Sequence, residues 1–170
     1  VTLEIVDCGT DGEGIGKADG FTVFVKDAVI GDIVTAKIMK AKKNYGYGRL
    51  MEILKPSPYR VEPVCPSARQ CGGCQLQAVS YEEQKVFKEK KLRGHLERIG
   101  GFRDLPMEPM IGMDEPYHYR NKAQFPVGRN KEGRIITGFY AGRTHAIIEN
   151  RDCALGIPQN KEILDIVIAN

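Results

Sequence analysis

Tryptophan is missing from this sequence, and no apolar run approaches the roughly 18 residues that a membrane-spanning helix needs. Nothing in the chain reads as a secretion signal. Together these absences predict a soluble cytoplasmic protein with no membrane partner, in a compartment where disulfides are rare. A strong charge of either sign is also lacking. The 25 basic and 22 acidic residues leave a net charge of +3, so no whole-molecule electrostatic argument for nucleic acid is available. Cysteine is scarce, with five in 170 residues. Glycine is plentiful, at 19 residues, and with nine prolines it predicts many turns and short strands.

Three of the five cysteines fall in one short stretch, Cys65-Pro-Ser-Ala-Arg-Gln-Cys71-Gly-Gly-Cys74, spaced C-x5-C-x2-C. A fourth, Cys153, lies far down the chain in Asn150-Arg-Asp-Cys153. Four thiolates are what a tetrahedral zinc ion or an iron–sulfur cluster requires. Gly72 and Gly73 permit a sharp turn that aims Cys71 and Cys74 at one centre, and Pro66 stiffens the exit from Cys65. Disulfides or merely packed thiols are the alternatives, and the expected compartment argues against disulfides. Zinc sites usually add a second close pair to C-x2-C, and none exists here. Three near cysteines and one distant one suit a cluster better. Cys8, left over in an apparent strand, is expected to be a core residue.

Charge is uneven even though its sum is small. Residues 37–49 hold five bases and no acid, and residues 85–98 hold six bases against two acids. Residues 1–55 read as all-β. Leu3 and Ile5 mark a first strand. Asp19-Gly20 is a two-residue hairpin turn between 15–18 and 21–25. A fourth strand covers 33–39 with Val34, Ala36 and Ile38 on one face, and a fifth covers 45–54 after a basic loop, 40–44. Five short strands with glycine corners predict a small closed barrel of the OB type. Lys55-Pro-Ser-Pro58 reads as a linker opening a second, α+β domain, 56–170. There Ser80-Tyr-Glu-Glu83 predicts a capping box for a helix over 81–99. Strands are expected at 119–127, 134–140 and 146–149, and a helix from 161 to the end at Asn170.

Residues 1–55 resemble a TRAM domain, an RNA-binding barrel. The likeness rests on Gly-Glu-Gly-Ile-Gly-Lys (12–17), Phe-Val-Lys-Asp-Ala (24–28), Gly-Asp-Ile-Val (31–34) and Lys-Lys-Asn-Tyr-Gly-Tyr-Gly (42–48). On such a barrel Lys40, Lys42, Lys43 and Arg49 would meet phosphates, and Tyr45 and Tyr47 would offer faces to bases. The alternative is a solvated hairpin whose tyrosines cover the barrel.

The TRAM-like barrel, the C-x5-C-x2-C loop, Tyr119-Arg-Asn-Lys-Ala-Gln-Phe125 and Asn150-Arg-Asp-Cys153 occur in one order. Together they resemble the first part of the RNA uracil-C5 methyltransferase family. The resemblance implies a 4Fe-4S cluster on Cys65, Cys71, Cys74 and Cys153, and RNA contacts at Arg120, Asn121 and Lys122. It implies a methyl-transfer domain beyond residue 170, with the S-adenosylmethionine site, the cysteine nucleophile and the base. That Rossmann-like domain would be missing here, so the fragment alone is expected to be inactive. The helix over 81–99 would pack on that domain, and its bared stripe of Leu92, Leu96 and Ile99 would favour self-association. Ribosomal RNA, 23S in particular, is expected ahead of transfer RNA. The competing expectation is a non-enzymatic RNA-binding module with a structural zinc site. An electron carrier ranks last, since it has no use for an RNA-binding barrel.

Overall fold

A computed structural model gives the fold, described for residues 1–169. The chain forms two compact units, Val1–Glu62 with Ala78–Gly112, and Pro63–Gln77 with Met113–Asn170.

The first unit holds five strands: β1 (Thr2–Cys8), β2 (Gly14–Ala18), β3 (Phe21–Lys26), β4 (Ile33–Ala41) and β5 (Tyr45–Lys55). They close into a barrel in the order β1-β2-β3-β5-β4. Alternation along each strand sends Leu3, Ile5, Val23, Val25, Val34 and Ala36 inward, and with Ala28 they make the buried core. Each large aliphatic side chain so buried contributes about 1.5–3 kcal/mol. Asp19 and Gly20 both take positive φ, 49° and 83°, as the right-handed twist of a tight hairpin demands. Strand β4 runs two residues past its expected end, so Lys40 sits on a strand paired with Tyr47 rather than in a loop.

One buried carboxylate fastens the barrel to residues 57–60. Asp32 is fully buried. Its Oδ2 accepts the Val29 amide at 2.7 Å and its Oδ1 the Ser57 amide at 2.8 Å. Arg60 donates to it through both Nε (3.0 Å) and Nη2 (2.5 Å), and Nη2 also reaches the Asp27 carbonyl at 2.9 Å. Residues 55–58 are therefore not a loose linker, and the expected break at 55/56 is replaced by a junction that is part of the barrel unit. Beyond it, Val61 N donates to Ala78 O and Ser80 N to Tyr59 O, which brings α1 (Tyr81–Arg98) into the same unit. Ser80 does precede this helix, but its side chain makes no capping hydrogen bond. The Gln84 side chain bonds the Val79 carbonyl instead. No residue of α1 is buried, and Val86, Leu92 and Ile99 are open to solvent.

The second unit carries a three-stranded antiparallel sheet, β6 (Val127–Arg129), β7 (Ile135–Tyr140) and β8 (Ile147–Glu149), and a helix, α2 (Gln159–Ala169). The strand expected over 119–127 is corrected to three residues. Pro126 has no amide to give a ladder, and before it only Arg120 pairs, with Gly156. Helix α2 starts two residues earlier than expected and buries Leu164. Asn170 lies outside the described residues.

Burial alone would raise the Asp32 pKa, but the Arg60, Ser57 and Val29 hydrogen bonds and the Arg60 charge outweigh it and hold it below the ordinary carboxylate value. The resulting stabilisation is complete above the unfolded value, about 3.9, and is lost as pH falls through the lower folded value. Asp32→Ala is expected to destabilise the barrel unit by about 3–5 kcal/mol, because it leaves Arg60 without its partner. Hydrogen exchange at Val23 and Val25, measured from pH 7 downward in both proteins, checks size and sign.

Candidate nucleic-acid interface and cysteine centre

The outward face of the barrel is set by a period-two pattern. In Tyr45-Gly46-Tyr47-Gly48 the glycines point inward. A Cβ on Gly48 would stand 3.1 Å from Val23 Cγ1 and 3.2 Å from Ala36 Cβ, and one on Gly46 would stand 3.0 Å from the Lys40 carbonyl. The tyrosines therefore face out. Strand pairing sets Tyr47 between Phe24 and Lys40, and Arg49 between Lys26 and Lys37. The three rings form one cluster, with centroids 5.8 Å apart for Phe24–Tyr45 and Tyr45–Tyr47 and 5.7 Å for Phe24–Tyr47. Lys40, Lys42, Lys43 and Arg49 are exposed around it. Lys37, already counted in the basic 37–49 stretch, lies on this face with Phe24 and Lys26, which were not singled out for contact although their alternation with Val23 and Val25 carried the signal.

In the second unit the cysteine loop is pinned to the sheet. The Cys71 amide bonds the Ser67 carbonyl, Gly72 N donates to Tyr140 O at 2.9 Å, and Cys71 pairs with Ala141. Cys65 is buried and its amide donates to Gln77 Oε1. Burial pushes the Cys74 thiol up, a hydrogen bond from Gln77 opposes this, and the charges of Cys71, Cys153 and Cys65 push it further up. The other three thiols thus lie within electrostatic reach of Cys74, and all four are free of disulfides. Backbone and side-chain N–H groups point at sulfur: Gly73 N to Cys71 Sγ at 3.3 Å, and Asn150 Nδ2 to Cys65 Sγ at 3.5 Å. Among the described residues no group of three or more Cys, His, Asp or Glu is arranged to hold a metal ion. Asn150 also accepts the Asp152 amide at 3.0 Å, shaping the turn into Cys153. In sequence it stands out only as one letter of the Asn-Arg-Asp-Cys motif.

Residues 1–51 match the TRAM domain family. Over 164 residues the chain is 44% identical to an uncharacterised RNA methyltransferase of Halalkalibacterium halodurans, covering 96% of this chain and 36% of that one. Similar proteins in Clostridium tetani and Clostridium acetobutylicum are 46% and 47% identical, each over 97% of this chain. Most of the chain is thus similar to one part of proteins named RNA methyltransferases, and its first 51 residues are a TRAM domain. The chain spans about a third of the length of the curated relatives it matches, 35–36% of these three. Its fold is similar to part of a tRNA (uracil-54, C5)-methyltransferase from Pyrococcus abyssi, solved with S-adenosyl-L-homocysteine. The TM-score is 0.60 at 23% identity, over 97% of this chain and 35% of that one.

The TRAM barrel and the absence of a Rossmann-like domain among the described residues both agree with expectation. Among the described residues no helix is long and apolar enough to cross a membrane. The remaining candidate residues, Arg120, Asn121 and Lys122, are exposed in the second unit. Arg120 is held by its backbone: its amide donates to Leu155 O at 2.8 Å and its carbonyl accepts from Ile157 N. His118 adds Nδ1 to Gly156 O at 2.9 Å. The segment is thereby strapped to the turn that leaves Cys153. Phe125 packs on Phe139 with centroids 4.9 Å apart, while Tyr119 stays exposed. Cys8, expected in the core, is only half-buried. Burial, and then the charges of Asp7 and Glu13, push its thiol up to about 11, which makes it a poor nucleophile at neutral pH.

Gly48→Ala is expected to destabilise the TRAM barrel by about 1–3 kcal/mol, since its new methyl meets packed side chains on three sides. Thermal melting monitored at the tyrosine band checks this.

Proposed function

We propose that this chain is the RNA-recognition and iron–sulfur portion of an S-adenosylmethionine-dependent RNA (uracil-C5) methyltransferase acting on ribosomal RNA. The observation that carries this reading is the meeting of four free thiols from two distant stretches, in a chain that also has a TRAM barrel. The donor set fits a 4Fe-4S cluster: four cysteines, one buried, with N–H donors on two of the sulfurs. Three close cysteines and one distant one suit a cluster better than zinc, whose sites usually add a second close pair to C-x2-C. Cys65, Cys71, Cys74 and Cys153 would hold the cluster, which would supply a clip between the cysteine loop and the end of β8. Asn150 and Gly73 would stabilise thiolate charge.

The chain's own residues have recognition roles in this reading. Lys40, Lys42, Lys43 and Arg49 bind phosphates. Tyr45 and Tyr47 stack on unpaired bases, and Arg120, Asn121 and Lys122 make a second contact. Methyl transfer to C5 of uracil needs a thiolate adding at C6 and a base for the C5 proton. None of the five cysteines here is suited to that task, so the S-adenosylmethionine site and the chemistry belong to sequence outside this chain. By itself the chain is inactive, and the open apolar positions of α1 are where it would self-associate or meet the remainder of the enzyme.

Labelled methyl donor, supplied to the complete reading frame with 23S ribosomal RNA or transfer RNA, tests the assignment. Label at C5 of a 23S uridine is expected, with none from residues 1–170 alone. Label confined to transfer RNA, or at another atom, would remove the specific assignment. Cys153→Ser is expected to raise hydrogen exchange across 119–153 while sparing the barrel. Unchanged exchange there would count against the clip.

A further inference from the structure

A cleft of about 500 Å³ opens beside the cysteine loop, lined by Gly72, Gly73 and the hairpin turn that joins β7 to β8, residues 139–145. Its floor is backbone. A Cβ on Gly72 would stand 3.0 Å from the Tyr140 carbonyl and 3.1 Å from Gly142 Cα, so a side chain there would crowd the floor. The hydrogen bond from Gly72 N to Tyr140 O and the pairing of Cys71 with Ala141 hold that floor in place. Tyr140 and His145 form one wall, edge to face, with centroids 5.3 Å apart, and Tyr140 is 45% exposed. Arg143 lies at the rim, exposed, and none of the lining residues is acidic.

The turn carries a costly choice. Arg143 has φ of 63°, in the left-handed region that glycine takes freely and arginine does not. Gly142, directly before it, takes no such conformation. A non-glycine residue kept in strained backbone at a cleft is a mark of a working side chain.

We propose that this cleft is a binding site for one unpaired nucleotide of single-stranded RNA. The base lies against the Tyr140–His145 wall and the phosphate meets Arg143. None of its lining residues is among the barrel lysines or Arg120–Lys122, and it rests on the RNA reading above. A pocket of this size suits one flat, polar-edged ligand, and base stacking on aromatics tolerates any sequence.

Fluorescence anisotropy of the full chain with a fluorescein-labelled single-stranded oligouridylate tests it. Tyr140→Leu is expected to weaken binding about tenfold, and Tyr140→Phe to leave it near wild type. Arg143→Gly eases the backbone yet is expected to weaken binding severalfold, with the fold intact by circular dichroism. Cross-links from 4-thiouridine in the probe are expected within 139–145. If the Tyr140 and Arg143 variants bind like wild type while Tyr47→Leu binds weakly, the cleft proposal fails and the RNA reading stands. If the wild-type chain does not bind the probe at all, both fail.

Discussion

Cys65, Cys71 and Cys153 lie within electrostatic reach of Cys74, so residues 65–74 and the turn that follows β8 come together in the second unit. Its sheet has three short strands, and its fully buried side chains are few. Burial and the neighbouring sulfurs both favour the neutral form of the Cys74 thiol. N–H groups point at the sulfurs of Cys65 and Cys71. In the proposed reading a bound inorganic core would take these sulfurs as thiolates and close a loop long enough for the clip to matter. The consequence reaches beyond the cysteines. Arg120 and His118 hang on the strand of chain that leaves Cys153, so whatever fixes that turn also fixes the exposed Arg120-Asn121-Lys122 segment.

The barrel solves its problem differently. It is closed and well packed, and its buried Asp32 is matched by four donors. That lets its outer face carry groups with no part in the core. Glycines inward and tyrosines outward on β5 yield an aromatic patch edged by lysines, the surface proposed above for sequence-tolerant contact with a single strand.

The features legible in the sequence were mostly local. Asp19-Gly20 and the alternation of Val23, Val25, Val34 and Ala36 specify a twisted hairpin and an inward face without reference to distant residues. The cysteine grouping was legible because cysteine is rare and its chemistry narrow. The failures involve partners far away in sequence. Pro56 and Pro58 look like a linker until Asp32 is seen to bind Ser57 N and Arg60, and nothing near residue 56 announces that. Ser80 has the spacing of a cap, yet its amide is taken by Tyr59 and its hydroxyl caps nothing. Residues 119–126 have strand-like composition, but their only ladder neighbour is the short turn after Cys153. Asn150 was hidden for the same reason: its value lies in reaching a sulfur 85 positions away.

The most direct test of the thiol meeting is elemental. Iron, acid-labile sulfide and zinc should be measured in the chain purified without oxygen, together with the number of thiols open to alkylation in the folded state. The account predicts about four irons and four sulfides per chain, no zinc, and protection of every cysteine except Cys8. One zinc per chain, or Cys65 and Cys153 alkylated as readily as they are in denaturant, would contradict it.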